Sequence, residues 1–143
     1  MTTQGWFFWA MTSAVCAALT AIFAKTGLQG VDSDFATFIR TVVILAALVL
    51  FLVYAGKWQS PASLSAKNWL FLILSGLATG ASWLAYFKAL QLGNVSQVAP
   101  VDKFSIVLTV LLAVFLLKER PSMQEWLGIA LIACGVMVLA FRR

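Results

Sequence analysis

The chain has 143 residues, 62% hydrophobic and 10% charged, where a soluble domain carries roughly 25% charged residues. It cannot clothe itself in a solvated surface, so an all-α integral membrane protein is expected, embedded in a lipid bilayer. Its net charge of +5 is scattered along the sequence, which excludes a nucleic-acid patch and reads as membrane-flanking charge.

The opening Met1-Thr2-Thr3-Gln4-Gly5 lacks the basic n-region of a cleaved signal peptide, so the first apolar run is expected to stay as a helix. That first span covers residues 6–25. Ser13, Ala14, Cys16, Ala17, Ala18, Ala21 and Ala24 crowd it with small side chains, which let helices approach closely in lipid; a central place in the bundle is expected. Gly27, Gly30 and Asp32-Ser33-Asp34 make a turn, with Ser33 or Asp34 as N-cap. The second span covers residues 35–54 and carries Arg40 inside it. The third covers residues 68–90, where Gly76-x-x-x-Gly80 suits close packing and Trp83, Tyr86, Phe87 and Lys88 follow.

The fourth span is the unusual one. The uncharged run 104–117 holds 14 residues, about 21 Å of helix, whereas a bilayer core of ~30 Å needs ~20 residues. The helix must therefore cover residues 98–117 and carry Asp102 and Lys103 into the membrane, with Pro100 in its first turn, where a missing N–H costs little. The fifth span covers residues 124–141 and places Gly128 and Gly135 on one face, before Arg142 and Arg143. Cys16 and Cys134 lie in apolar runs and are read as free, buried thiols. With no His in the chain, no metal site, disulfide or cofactor is expected.

Five alternating spans put the termini on opposite sides of the membrane. Trp6, Trp9, Trp58, Trp69 and Trp126 then share one face, as interfacial tryptophans do, and only Trp83 lies deep. Lys57, Lys67, Lys118 and Arg120 fall on that face; Lys25, Lys88, Arg142 and Arg143 fall on the other, with Arg40 and Lys103 further in. Cytoplasmic loops normally carry an excess of Lys and Arg. Here the balance is close to even. Either the chain inserts in both orientations and pairs antiparallel with itself, or the loop count simply resolves orientation poorly.

Several passages resemble one EamA domain of the drug/metabolite transporter superfamily. They are Ile22-Phe23-Ala24-Lys25-Thr26-Gly27, Phe38-Ile39-Arg40, Ala89-Leu90-x-x-Gly93 leading to Ala99-Pro100, Leu117-Lys118-Glu119-Arg120-Pro121, and Gly128-x-x-Leu131-Ile132-x-x-Gly135-Val136. Val101-Asp102-Lys103-Phe104-Ser105 is most similar to the short, single-domain bacterial and archaeal branch. The resemblance implies one EamA-type repeat over residues 1–143 and a multi-pass protein of the bacterial inner membrane. Typical members carry two such repeats of opposite topology. A single repeat implies an antiparallel homodimer, or pairing with another half-size subunit.

Alternation places Lys25, Arg40, Lys88, Asp102 and Lys103 in one half of the bundle. Four cations and a carboxylate from four helices make a candidate site for an anionic or zwitterionic small molecule, with Trp83 and Tyr86 lining the path. Lys25 and Lys88 near helix ends are equally read as snorkelling anchors. Arg40 is read as a site residue or as the partner of Asp102, Asp32 or Asp34, and Asp102 as a site carboxylate or a packing ion pair. No nucleophile–base pair or phosphate loop is present, so an enzyme is not expected. The functional expectation is a secondary transporter of small metabolites working by alternating access. The alternatives are a lipid-carrier flippase subunit and a non-transporting structural or regulatory membrane subunit.

Overall fold

The computed structural model describes residues 5–141. Arg142 and Arg143, which enter the charge balance, and Met1-Thr2-Thr3-Gln4 lie outside the described residues. The described residues form helices α1 (Gly5–Gly27), α2 (Ser33–Tyr54), α3 (Ala66–Leu92), α4 (Val95–Asp102), α5 (Ser105–Leu112) and α6 (Met123–Ala140), and no strand. A short 3₁₀ turn, Pro61–Ser63, lies between α2 and α3, and a wide π turn, Ala113–Leu117, extends α5. Taken together, α4, α5 and the π turn give a stretch of 23 residues. With α1, α2, α3 and α6 this makes five segments long and apolar enough to cross a membrane. The chain is a multi-pass, all-helical membrane protein.

Very little of it is shielded by the chain itself. Ala21, Leu28, Phe87, Leu90 and Val136 are the buried apolar residues among those described, with Ser33 and Thr37 the buried polar ones. In water such a surface would be ruinous. In lipid, tails are as apolar as leucine, so outward-facing side chains lose little. Cys16 and Cys134 accordingly correct their expectation: both are free but exposed, because the apolar runs that hold them face outward. The small stretch of α1 is likewise open, with residues 5–19 exposed rather than packed in a bundle centre.

The described residues divide into two compact units, Ile22–Leu92 and a second made of 5–21 with 93–141, the boundaries falling within α1 and after α3. In the Ile22–Leu92 unit, α2 and α3 pack as an antiparallel pair. Asp32, not Ser33 or Asp34, caps α2: its Oδ1 accepts the N–H of Asp34 at 3.0 Å and of Phe35 at 3.1 Å. The expected cap fails because Ser33 already has helical backbone and Thr37 Oγ1 donates to its carbonyl at 2.8 Å. At its other end α2 closes on Gly56, whose φ of +62° admits glycine readily. There Lys57 N donates to Leu52 O and Gly56 N to Val53 O, the Schellman pattern that satisfies terminal carbonyls.

The other unit contains the break. The helix begins at Val95, three residues before the expected start, so Pro100 falls in its second turn rather than its first. An interior proline removes one backbone bond and crowds the carbonyl four residues earlier. The helix ends two residues later, at Asp102. Lys103 N then bonds Pro100 O and Phe104 N bonds Val101 O, both at 3.0 Å and both one residue tighter than an α-helix. The single helix expected over residues 98–117 is therefore two helices with a turn at Lys103-Phe104. Both α4 and α5 pack on α6, which opens with a capping box: Ser122 N donates to Glu125 Oε2 at 2.6 Å, and Glu125 N donates to Ser122 Oγ at 3.3 Å.

Candidate functional site

Within the Ile22–Leu92 unit the residues are set by helical spacing. Positions 33, 37, 40 and 44 recur at four, three and four residues, one stripe of α2; positions 83, 87 and 90 do the same on α3. Ser33, Thr37, Phe87 and Leu90 are buried, and Arg40, Ile44 and Trp83 half-buried, so these are the faces turned together. Gln91 Nε2 donates to Val31 O at 3.1 Å, which fixes the register of the pair at this end. That register brings Arg40 opposite Trp83 and Phe87.

Arg40 lies seven residues into α2, about 10 Å along it at ~1.5 Å per residue. Its Cζ sits over the Trp83 ring at 4.3 Å from the centroid and over the Phe87 ring at 5.2 Å. Trp83 and Phe87 are four residues apart, one above the other on α3, so both rings reach the same cation. The Tyr86 ring, next along α3, meets Phe87 edge-on at 6.4 Å. A cation–π contact contributes ~0.5–2 kcal/mol, whereas an arginine at mid-helix costs about 2.5–3.5 kcal/mol on insertion scales. The rings offset part of the charge. They satisfy none of its N–H donors.

The carboxylates weighed as partners on the same helix are committed elsewhere. Asp32 caps α2, and Asp34 Oδ1 accepts from Ser33 Oγ at 3.3 Å. Lys25 reaches from α1 to the end of α3, where Nζ donates to Leu90 O at 2.6 Å; one orphan carbonyl of that helix terminus is thereby met. Lys88 is exposed, one position and ~100° around the helix from Phe87. Of the sequence candidates, then, Arg40, Trp83 and Tyr86 gather with Phe87, whose role at Arg40 went unassigned although its spacing from Trp83 carried the signal.

Asp102 and Lys103 belong to the other unit. They pair with each other, Lys103 Nζ to Asp102 Oδ2 at 3.2 Å, with the lysine side chain 53% exposed and the aspartate 34%. On one continuous helix adjacent residues diverge by ~100°; the end of α4 at Asp102 lets the two meet. The pair thus sits at the break in the fourth span. The same unit holds an open groove of about 420 Å³ along α6, lined by Val110, Glu119, Arg120, Glu125, Gly128 and Ile132 among others. Among the described residues, no cluster of His, Cys, Asp or Glu offers a metal site.

The model of the EamA-like transporter family matches residues 4–141. The chain belongs to that family. A relative from Sinorhizobium sp., named as an uncharacterized transporter in the cobO 3′ region, is 54% identical over 138 residues, covering 96% of this chain and 98% of its own. A relative from Hamiltonella defensa is named as a probable 4-amino-4-deoxy-L-arabinose-phosphoundecaprenol flippase subunit, ArnE. It is 31% identical over 105 residues, 67% of this chain and 93% of that one. The Bacillus subtilis transporter YxxF is 25% identical over 136 residues, which are 94% of this chain but only 42% of YxxF. No solved structure matches. As an EamA-family member the chain is a transporter-type membrane protein, and its relatives point to transport rather than to catalysis.

Proposed function

We propose that the chain is one half of a secondary transporter for a small anionic or zwitterionic metabolite, working by alternating access as an antiparallel pair in a bacterial inner membrane. The observation that carries this reading is the broken fourth span. Irregular backbone at membrane depth is tolerated where it lines a cavity or is buried in protein, and transporters place binding and coupling groups at such breaks. Here Pro100 ends α4 and leaves Asp102 and Lys103 at the break. Asp102 is the carboxylate on which coupling to an ion or proton would act.

The antiparallel pair has separate support. A chain that covers 42% of YxxF supplies one repeat where that relative has room for two. The near-even distribution of Lys and Arg favours insertion in both orientations. Gly76, Gly80, Gly128 and Gly135 each face open space within the chain, so the close approach that small residues permit is available to a second copy. Cysteines placed singly at Ser60 and at Asn94, at opposite ends of α3, test it in a background without Cys16 and Cys134. An impermeant maleimide should label both sites partially in intact cells. Full labelling of one site and none of the other, with a monomer after purification, would sink the antiparallel pair.

A second reading is favoured by one finding, the flippase-subunit name of the Hamiltonella relative. In that case the chain acts on a polyprenyl-linked phosphate and needs a different partner subunit. Copurification of polyprenyl phosphate lipid supports it. Flux of a water-soluble anion in vesicles holding this chain alone would exclude it.

A further inference from the structure

Arg40 presents a cation inside a span with both charge and hydrogen-bonding capacity only partly engaged. Trp83 and Phe87 lie under it, and among the described residues its guanidinium makes no hydrogen bond. Its helix neighbours Asp32 and Asp34 are occupied, and Lys25 is bonded to the Leu90 carbonyl. A guanidinium stacked on aromatic rings keeps its donors in a fixed planar fork, which matches the two oxygens of a carboxylate or phosphate; an ammonium has no such fork and no flat face to stack. The aromatic seat thus orients the group as well as holding it.

We propose that the Arg40–Trp83–Phe87 stack is the receptor for an oxyanion, a carboxylate or a phosphate monoester, on the molecule carried by this protein. The inference rests on the transporter reading for its purpose but not for its chemistry. Shape selects alongside charge, so lysine does not replace Arg40. The oxyanion belongs either to a soluble metabolite or to a lipid head group, and the same fork serves both.

The test uses the purified full chain in detergent with four probes: succinate, glycerol 3-phosphate, dioleoyl phosphatidate and, as a control without an oxyanion monoester, dioleoyl phosphatidylcholine. Radioligand binding reads the soluble pair and native mass spectrometry the lipids. Wild type should bind at least one of the first three, and both Arg40→Lys and Arg40→Gln should weaken that binding by roughly tenfold or more. Lys88→Gln should leave it within about twofold, as expected of an exposed cation. In the unmodified protein, saturating probe should slow phenylglyoxal modification of Arg40 by roughly fivefold, while Arg120 reacts as before. Preference for the soluble probes assigns a metabolite, and preference for phosphatidate assigns a lipid.

The proposal is overturned if wild type binds none of the first three probes. It is also overturned if Arg40→Lys binds as wild type does, or if Arg40 is modified equally with and without probe. Flux measurements separate it from the transporter reading. Binding and protection without flux of any probe would remove the transporter reading and leave the receptor. Flux untouched by Arg40→Gln would remove the receptor and leave the reading.

Discussion

The α2–α3 pair and the fourth span are built on opposite plans. In the pair, long unbroken helices are registered by the bond from Gln91 to the Val31 carbonyl, Lys25 ties α1 to the same end of α3, and the buried residues cluster at that end. In the fourth span the backbone changes habit twice, through tight bonds around Lys103 and through a wide turn at Ala113–Leu117 that stops on Lys118 at φ +56°. Among the described residues, its Asp102 and Lys103 side chains bond to each other. The first plan suits a part that must hold a side chain in one place. The second suits a part that must change shape, since few shielded contacts oppose its opening.

The sharpest way to break this contrast is at Arg40. Losing a charge-assisted hydrogen bond of about 1.5–3 kcal/mol should lower transport by Arg40→Gln by roughly 10- to 150-fold, with assembly on a sizing column unchanged. If assembly fails instead, Arg40 belongs to the scaffold alone. Next in size is Pro100→Ala. Proline in a helix interior costs about 3 kcal/mol relative to alanine, so the variant should gain stability, by up to that amount, as α4 grows toward α5. Circular dichroism and thermal melting in detergent check the gain, and vesicle flux should slow. Faster flux would mean that the break is not part of the motion.

Lys25→Met comes third. It leaves a Leu90 carbonyl without its ammonium donor, which should cost about 1–3 kcal/mol, read as a lower melting temperature; Lys88→Met should change stability by less than ~0.5 kcal/mol. Equal effects from the two lysines would show that the bond between α1 and α3 contributes nothing to stability. A small stability change is expected from Asp102→Asn, because a partly exposed ion pair contributes only ~0–1 kcal/mol. Its flux in vesicles should nevertheless fall, as expected of a coupling carboxylate. Lost assembly with unaltered flux per pair would make Asp102 a packing residue.

The five spans were legible because each is a run of apolar residues long enough to read by length alone, and EamA-like wording recurred at fixed intervals along them. What escaped was whatever depended on register. Pro100 looked harmless for a helix starting at Val98; a start three residues earlier makes it an interior proline and produces the break. The seat of Arg40 needs α2 and α3 aligned, and nothing in either helix by itself states that alignment. Lys25 suits an anchor by its position, but it bonds a main-chain carbonyl, which every residue has and no sequence pattern marks. The apolar runs around Cys16 and Cys134 suggest buried thiols, because an apolar run means interior in water. In a membrane it also means the outer wall.

The Lys25–Leu90 bond also has a consequence in time. Its partners are 65 positions apart, so the ammonium cannot find its acceptor until the whole third span has left the ribosome. The bond therefore joins the end of the first span to the end of the third, and a chain stopped before residue 90 lacks the acceptor that closes it.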